Sequence, residues 1–188
     1  MVLKMYCSDY SEFRISYSGW DKFRGEIMQA TFHYLDDKIE KDKQTFGMIT
    51  DEDDNEYIGK GSEYYIYMTE IQEFKILLNK KNNKNHGYLN DMFDDIYELK
   101  KNCNNNKYLM NALNYFKVGG LYSLCDQSYC EGCYTCGNSL DICGLLDLIE
   151  PFVKKYDCYE RIYDKKKHNT LYELFEASYK YRENVTLA

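Results

Sequence analysis

The side chains best equipped for chemistry here are thiols, and they are unevenly placed. Of the 8 cysteines in 188 residues, five fall in the run Cys125-Asp-Gln-Ser-Tyr-Cys130-Glu-Gly-Cys133-Tyr-Thr-Cys136 and its continuation to Cys143. Cys130, Cys133 and Cys136 are separated by two residues each, and Gly132 and Gly137 permit tight turns that bring thiolates onto one ion. Zinc takes four ligands, and Cys125, Cys130 and Cys133 with either Cys136 or Cys143 supply them. The usual zinc signature, two separated Cys pairs joined by a longer spacer, is absent. An iron–sulfur run of the bacterial ferredoxin type needs a closer fourth Cys followed by Pro, whereas Cys143 is followed by Gly144. A free thiol also packs as a small hydrophobe, and Cys143 falls on the apolar side of a predicted helix. Unbonded thiols are the leading expectation, a structural zinc the alternative. Redox catalysis ranks lower, because no thioredoxin-like βαβ pattern precedes the CxxC spacing.

Other chemistry is poorly marked. His33, His86 and His168 are far apart in the sequence. There is no P-loop, no GxGxxG after a strand, no GxSxG and no HExxH. An enzyme would need a pocket assembled from scattered residues such as Arg24, Asp126, Glu131 and a histidine. The acidic run Thr50–Glu56 lacks the glycine of a calcium loop and reads as a solvated loop.

The elements that must position these groups follow from periodicity. Phe13–Tyr17 alternates apolar and polar, predicting a strand, and Ser18 is placed to cap a helix. Trp20, Phe23, Ile27 and Tyr34, widened by Met28, Leu35 and Ile39, predict that helix to about Lys41. Tyr64–Met68 reads as a strand, with a short helix from Thr69 through Ile71, Phe74 and Leu78, then an exposed loop over Asn79–Asn85. Leu89, Met92, Phe93, Ile96 and Leu99 mark a second amphipathic helix, ended by Asn102–Asn106. A further helix runs from Tyr108 to Phe116 and breaks at Gly119-Gly120. The Cys-rich stretch at about 125–143 is then read as a loop, with a helix opening at Ser139 through Ile142, Leu145, Leu146 and Ile149. Leu171, Leu174 and Phe175 lie on the last helix, and Asn184–Leu187 on a closing strand. The expectation is a single α+β domain over 1–188, several amphipathic helices packed on a small sheet that includes the N- and C-terminal strands.

Bulk properties narrow the partners. The net charge is −7, and the two basic clusters, Lys80–Lys84 and Lys165–Lys167, are short. Nucleic-acid binding is therefore not expected. The sequence has neither a signal-peptide apolar run nor a membrane span, so a cytoplasmic, reducing compartment is expected and disulfides are not. The 21 tyrosines, many Asn and Lys and the single Pro151 match AT-rich codons of a low-GC genome.

Three segments resemble the small immunity proteins of bacterial polymorphic-toxin systems. Ser16-Tyr-Ser-Gly-Trp20-Asp-Lys-Phe23-Arg24-Gly-Glu-Ile27 resembles their opening strand-to-helix segment. Ser128-Tyr-Cys130-Glu131-Gly132 resembles their Ser-Asp-Cys-Asp-Gly turn, with Tyr129 where the family has Asp. Leu174–Ser178 followed by Asn184–Leu187 resembles their closing helix and strand. Together these span about a quarter of the chain, and Cys133 and Cys136 lie in what reads as an insertion. The stretch from about Lys41 to Leu109 has no counterpart. The resemblance implies an α+β fold that binds a toxin protein, and makes Trp20, Phe23, Arg24, Ser128, Cys130, Glu131 and Gly132 motif residues. In a purely architectural reading the same residues form a core stripe and a turn. The leading expectation is a non-enzymatic domain that binds another protein through an acidic, Tyr-rich surface. The alternatives are a zinc-stabilised module and an enzyme with an unmarked pocket.

Overall fold

A computed structural model describes residues 2–8, 11–50, 52–82, 88–126, 132–164 and 169–188. Ser128, Cys130, Glu131, His86, His168 and the basic cluster Lys165–Lys167 lie outside them.

The chain opens with a hairpin of β1 (Val2–Cys7) and β2 (Ser11–Ser16). Alternation explains it: Leu3 faces Ile15 and Met5 faces Phe13 across the ladder, all four buried. On the other face Lys4 and Arg14 both pair with Glu12. The strand expected at Phe13–Tyr17 thus ends one residue earlier. Ser16, not Ser18, caps the helix, accepting from the Gly19 amide at 3.0 Å.

Helix α1 (Tyr17–Phe46) outruns its expected end because it continues as a charged, half-exposed rod beyond Ile39. Gly47, with φ of 68°, stops it and donates its amide to the Lys43 carbonyl at 2.9 Å. A small hairpin follows, β3 (Met48–Thr50) and β4 (Glu56–Ile58), with residues 52–55 of the acidic run between the strands. Helix α2 (Ser62–Asn82) then overturns the strand expected at Tyr64–Met68 and the start expected at Thr69. Tyr64, Ile71, Phe74 and Leu78 make one buried helical stripe, and that packing outweighs the β propensity of Tyr and Ile. The loop expected from Asn79 is still helical to Asn82.

Helices α3 (Tyr88–Asn105) and α4 (Lys107–Tyr115) match the periodicity, and Asn106 caps the second by accepting from the Tyr108 amide at 2.9 Å. The expected Cys-rich loop is replaced by regular structure at both ends. Helix α5 (Gly120–Asp126) carries Cys125, strand β5 (Gly132–Tyr134) carries Cys133, and helix α6 (Cys136–Val153) carries Cys136 and Cys143. Helix α6 starts three residues before Ser139 because Thr135 and Asn138 form a reciprocal capping box. Gly120 is required by packing: a Cβ there would sit 2.2 Å from the Asp141 carbonyl oxygen on α6.

A short α7 (Tyr159–Tyr163) leads to α8 (Leu171–Tyr181), capped by Thr170 and Glu173, and the chain returns as β6 (Val185–Leu187). β6 enters beside β1, giving a four-stranded antiparallel sheet in the order β2-β1-β6-β5. The N- and C-terminal strands are therefore its two central members. One sheet face is covered by α1 and α8, α6 packs against both of them, and α2 and α4 pack together at the far end of α1. This is the expected α+β architecture. No described helix is long and apolar enough to cross a membrane.

Candidate functional site

The motif residues of α1 are interior. Trp20 stacks on Phe23 with ring centroids 5.6 Å apart, and Phe23 meets Phe13 of β2 edge-on at 5.8 Å. Arg24 is 1% exposed. Its guanidinium lies 5.4 Å from the Trp20 ring, donates to Asp21 at 2.9 Å and reaches the Cys125 carbonyl at 3.4 Å. At the same end of α5, Lys100 of α3 donates to the Asp126 carbonyl at 2.6 Å, where a cation complements the helix dipole. Tyr134 of β5 is fully buried and donates to the Leu124 carbonyl at 3.2 Å. Gly132 has φ of 149°, a backbone state side-chain-bearing residues rarely adopt. The structure thus brings Trp20, Phe23 and Arg24 to the elements that flank residues 127–131. What it builds there is a clamp between α1, α5 and β5. His33, nine residues after Arg24 on the same helix, is about 13 Å along it and joins no group with Arg24 and Asp126.

The cysteines divide by exposure. Burial pushes the thiols of Cys125 up to about 11 and of Cys103 and Cys143 up to about 12, and raises those of Cys7 and Cys158. Cys133 is exposed on β5, and Cys136 is half-buried at the first residue of α6. All seven described cysteines are unbonded. Among the described residues no three His, Cys, Asp or Glu side chains are grouped to hold a metal ion. Cys125, Cys133, Cys136 and Cys143 therefore form no such set by themselves, and the thiol of Cys130 lies outside the described residues.

A cleft of about 450 Å³ opens between α6, α7 and α8, lined by Asp147, Glu150, Tyr163, Tyr172, Glu173 and Glu176. Its polar groups are committed to structure. Tyr163 donates to the Leu146 carbonyl at 2.5 Å, Tyr159 donates to Glu150, and Glu173 accepts from the Thr170 amide as a cap. Burial, and then the nearby carboxylates, raise the Tyr163 and Tyr172 hydroxyls, so neither is a base at neutral pH. Among the described residues the cleft holds acceptors and no nucleophile paired with a base.

The exposed feature is at the opposite end of α1. Met48, Ile49 and Thr50 of β3 are all exposed, and Phe46 just before them is 48% exposed. Lys60 lies over the Phe46 ring at 4.6 Å and over Tyr64 at 4.9 Å. Tyr64 meets Tyr115 edge-on at 6.1 Å, and Tyr115, itself 41% exposed, meets Tyr67 at 5.2 Å. These contacts link Phe46, at the end of α1, to α2 and α4 through the buried ring of Tyr64. Tyr65 and Ile66, in the first turns of α2 but turned away from the Tyr64 face, and Tyr108, at the start of α4, are exposed as well. Val2, Ile76, Tyr97, Leu140, Tyr179 and Tyr181 are exposed elsewhere, on other elements or farther along α2. Asp42 is part of the same linkage: it accepts from Tyr64 at 2.9 Å and from Lys38 and Lys60 at 3.2 Å each. The hairpin carries the acids Glu52, Asp53, Asp54 and Glu56, all exposed. Sequence reasoning missed this site. Its trace was the pair of short apolar runs Phe46–Ile49 and Tyr57–Ile58 either side of a turn-forming acidic stretch.

Compared with known proteins, the chain matches no family model, no curated protein and no solved structure.

Proposed function

We propose that this domain is a non-enzymatic protein-binding module whose contact surface is the exposed apolar run at the end of α1 and on β3. The observation that carries the reading is the run of exposed apolar side chains Phe46, Met48 and Ile49 at the end of α1 and on β3, with half-exposed Tyr115 linked to Phe46 through Lys60 and Tyr64. Contiguous apolar patches rimmed by charge mark interaction sites, and aromatic residues are enriched at their centres. An immunity-like use, covering another protein to neutralise it, is the form of binding the resemblance implies. It draws support from the way the resembling segments pack together: α1 follows β2, α8 packs on β2, and β6 pairs with β1 and β5.

The test is reconstitution. A partner captured by the tagged full chain is purified separately, and its affinity is measured by calorimetry for the native chain and for Phe46→Asp/Ile49→Asp. Both positions are exposed, so the variant folds. The expected result is a stoichiometric complex weakened more than about tenfold, or about 1.4 kcal/mol. Equal affinity for the variant would overturn this placement of the surface.

A further inference from the structure

Resting on that reading, we infer that the partner contributes an extended basic segment that pairs as an added strand along the open edge of β3. β3 is paired on one side only: its sheet has two strands, and β4 is its sole neighbour among the described residues. An edge strand with free amides and carbonyls is a template for another extended chain. The register puts Met48 opposite buried Ile58, on the face turned to the helices, and so puts Ile49 on the opposite face. An incoming strand therefore finds an exposed apolar neighbour on each face.

Charge selects the occupant. Glu52, Asp54 and Glu56 are exposed, and among the described residues none has a basic side chain within ion-pair distance. Lys60, just after β4, is already committed to Asp42 at 3.2 Å and to the rings of Phe46 and Tyr64. Unlike the ion-paired outer face of β1 and β2, the turn and β4 beside this edge present Glu52, Asp54 and Glu56 without an ion-pair partner among the described residues. A second copy of the chain, carrying the same net charge of −7, is disfavoured by repulsion. A segment alternating Lys or Arg with β-branched residues satisfies the edge, the apolar neighbours and the charge together.

The probe is a fluorescein-labelled nonapeptide of alternating Lys and Val, titrated with the full chain by fluorescence anisotropy. Saturable binding that weakens with salt is expected. Binding should fall more than about tenfold for a Glu–Val peptide, for the Lys–Val peptide N-methylated at alternate residues, and for Glu52→Lys/Asp54→Lys. N-methylation removes backbone donors from the probe and leaves the protein untouched, so its outcome is independent of folding. Equal binding of the N-methylated peptide would show that no strand is added. Equal binding to the charge-reversed chain, or a concentration-dependent dimer in sedimentation that excludes the peptide, would overturn the choice of occupant. If the Lys–Val peptide fails while a reconstituted partner still loses affinity with Phe46→Asp/Ile49→Asp, this inference falls and the protein-binding reading stands.

Discussion

Replacing Arg24 separates an architectural motif from a functional one. In Arg24→Met the charged bond to Asp21 at 2.9 Å is lost, a contribution of about 1.5–3 kcal/mol. The guanidinium contact with Trp20 at 5.4 Å adds about 0.5–2 kcal/mol. The bond to the Cys125 carbonyl, at 3.4 Å, is long enough to add only about 0.5 kcal/mol. Methionine has similar length and recovers about 1–2 kcal/mol of apolar burial in the same space. The expected net loss is about 2–3 kcal/mol, measured by urea unfolding, with a fall in melting temperature of about 4–12 °C for a chain of this size. Asp21→Asn, alone and combined with Arg24→Met, should show coupling of about 1–2 kcal/mol in a double-mutant cycle. A variant within about 0.5 kcal/mol of the native chain that no longer binds its reconstituted partner would refute the clamp and make Arg24 a contact residue.

Three further outcomes follow from the same geometry. Brief alkylation with site-by-site mass spectrometry should modify Cys133 and Cys136 first, while Cys7, Cys103, Cys125, Cys143 and Cys158 react only on unfolding; protection of Cys133 and Cys136 that a chelator releases would instead reveal bound metal. Burial pushes the Asp42 carboxyl up, but hydrogen bonds from Tyr64, Lys60 and Lys38 leave it below its ordinary 3.8; its contribution is thus complete above that value and lost as pH falls through the lower folded value, so the stability gap between the native chain and Asp42→Asn should be full at neutral pH and narrow in acid. Gly120→Ala drives a Cβ to 2.2 Å from the Asp141 carbonyl and 2.9 Å from the Ile142 Cα, and a loss of about 1–3 kcal/mol in urea unfolding is expected.

Much of the architecture was legible where burial is one-sided. The stripe of α8 follows directly from helical spacing because that helix buries a single face, and the apolar stripe of α1 is legible too although the helix is buried on nearly all sides from Phe23 to Phe32. The errors have separate physical causes. The stretch Tyr64–Met68 is rich in strand formers, yet Tyr64 belongs to the same stripe as Ile71 and Leu78, and only the packed partner α4 decides between the two periods. The cap at Thr135 was hidden because its partner is Asn138 and not the usual Glu or Gln. β1 was missed although Leu3, Met5 and Cys7 alternate, because Met and Cys are weak strand formers and its pairing with β6 joins distant parts of the chain.

The candidate sites show a sharper limit. Trp20, Phe23 and Arg24 stand out in the sequence because their types are unusual together, and a buried Arg over a Trp needs that combination to satisfy its charge. Conspicuous chemistry was thus spent on holding α1 to α5. The hairpin surface was inconspicuous for the converse reason. Met48, Ile49 and Phe46 are ordinary core residue types, and nothing in their order says that no helix covers them. Exposure of an apolar side chain is a property of the finished packing: α1 and α2 pack on β4, where Ile58 is buried, while Met48 and Ile49 of β3 stay exposed. A surface whose signal is a missing neighbour cannot be read from spacing, whereas the acidic run beside it can.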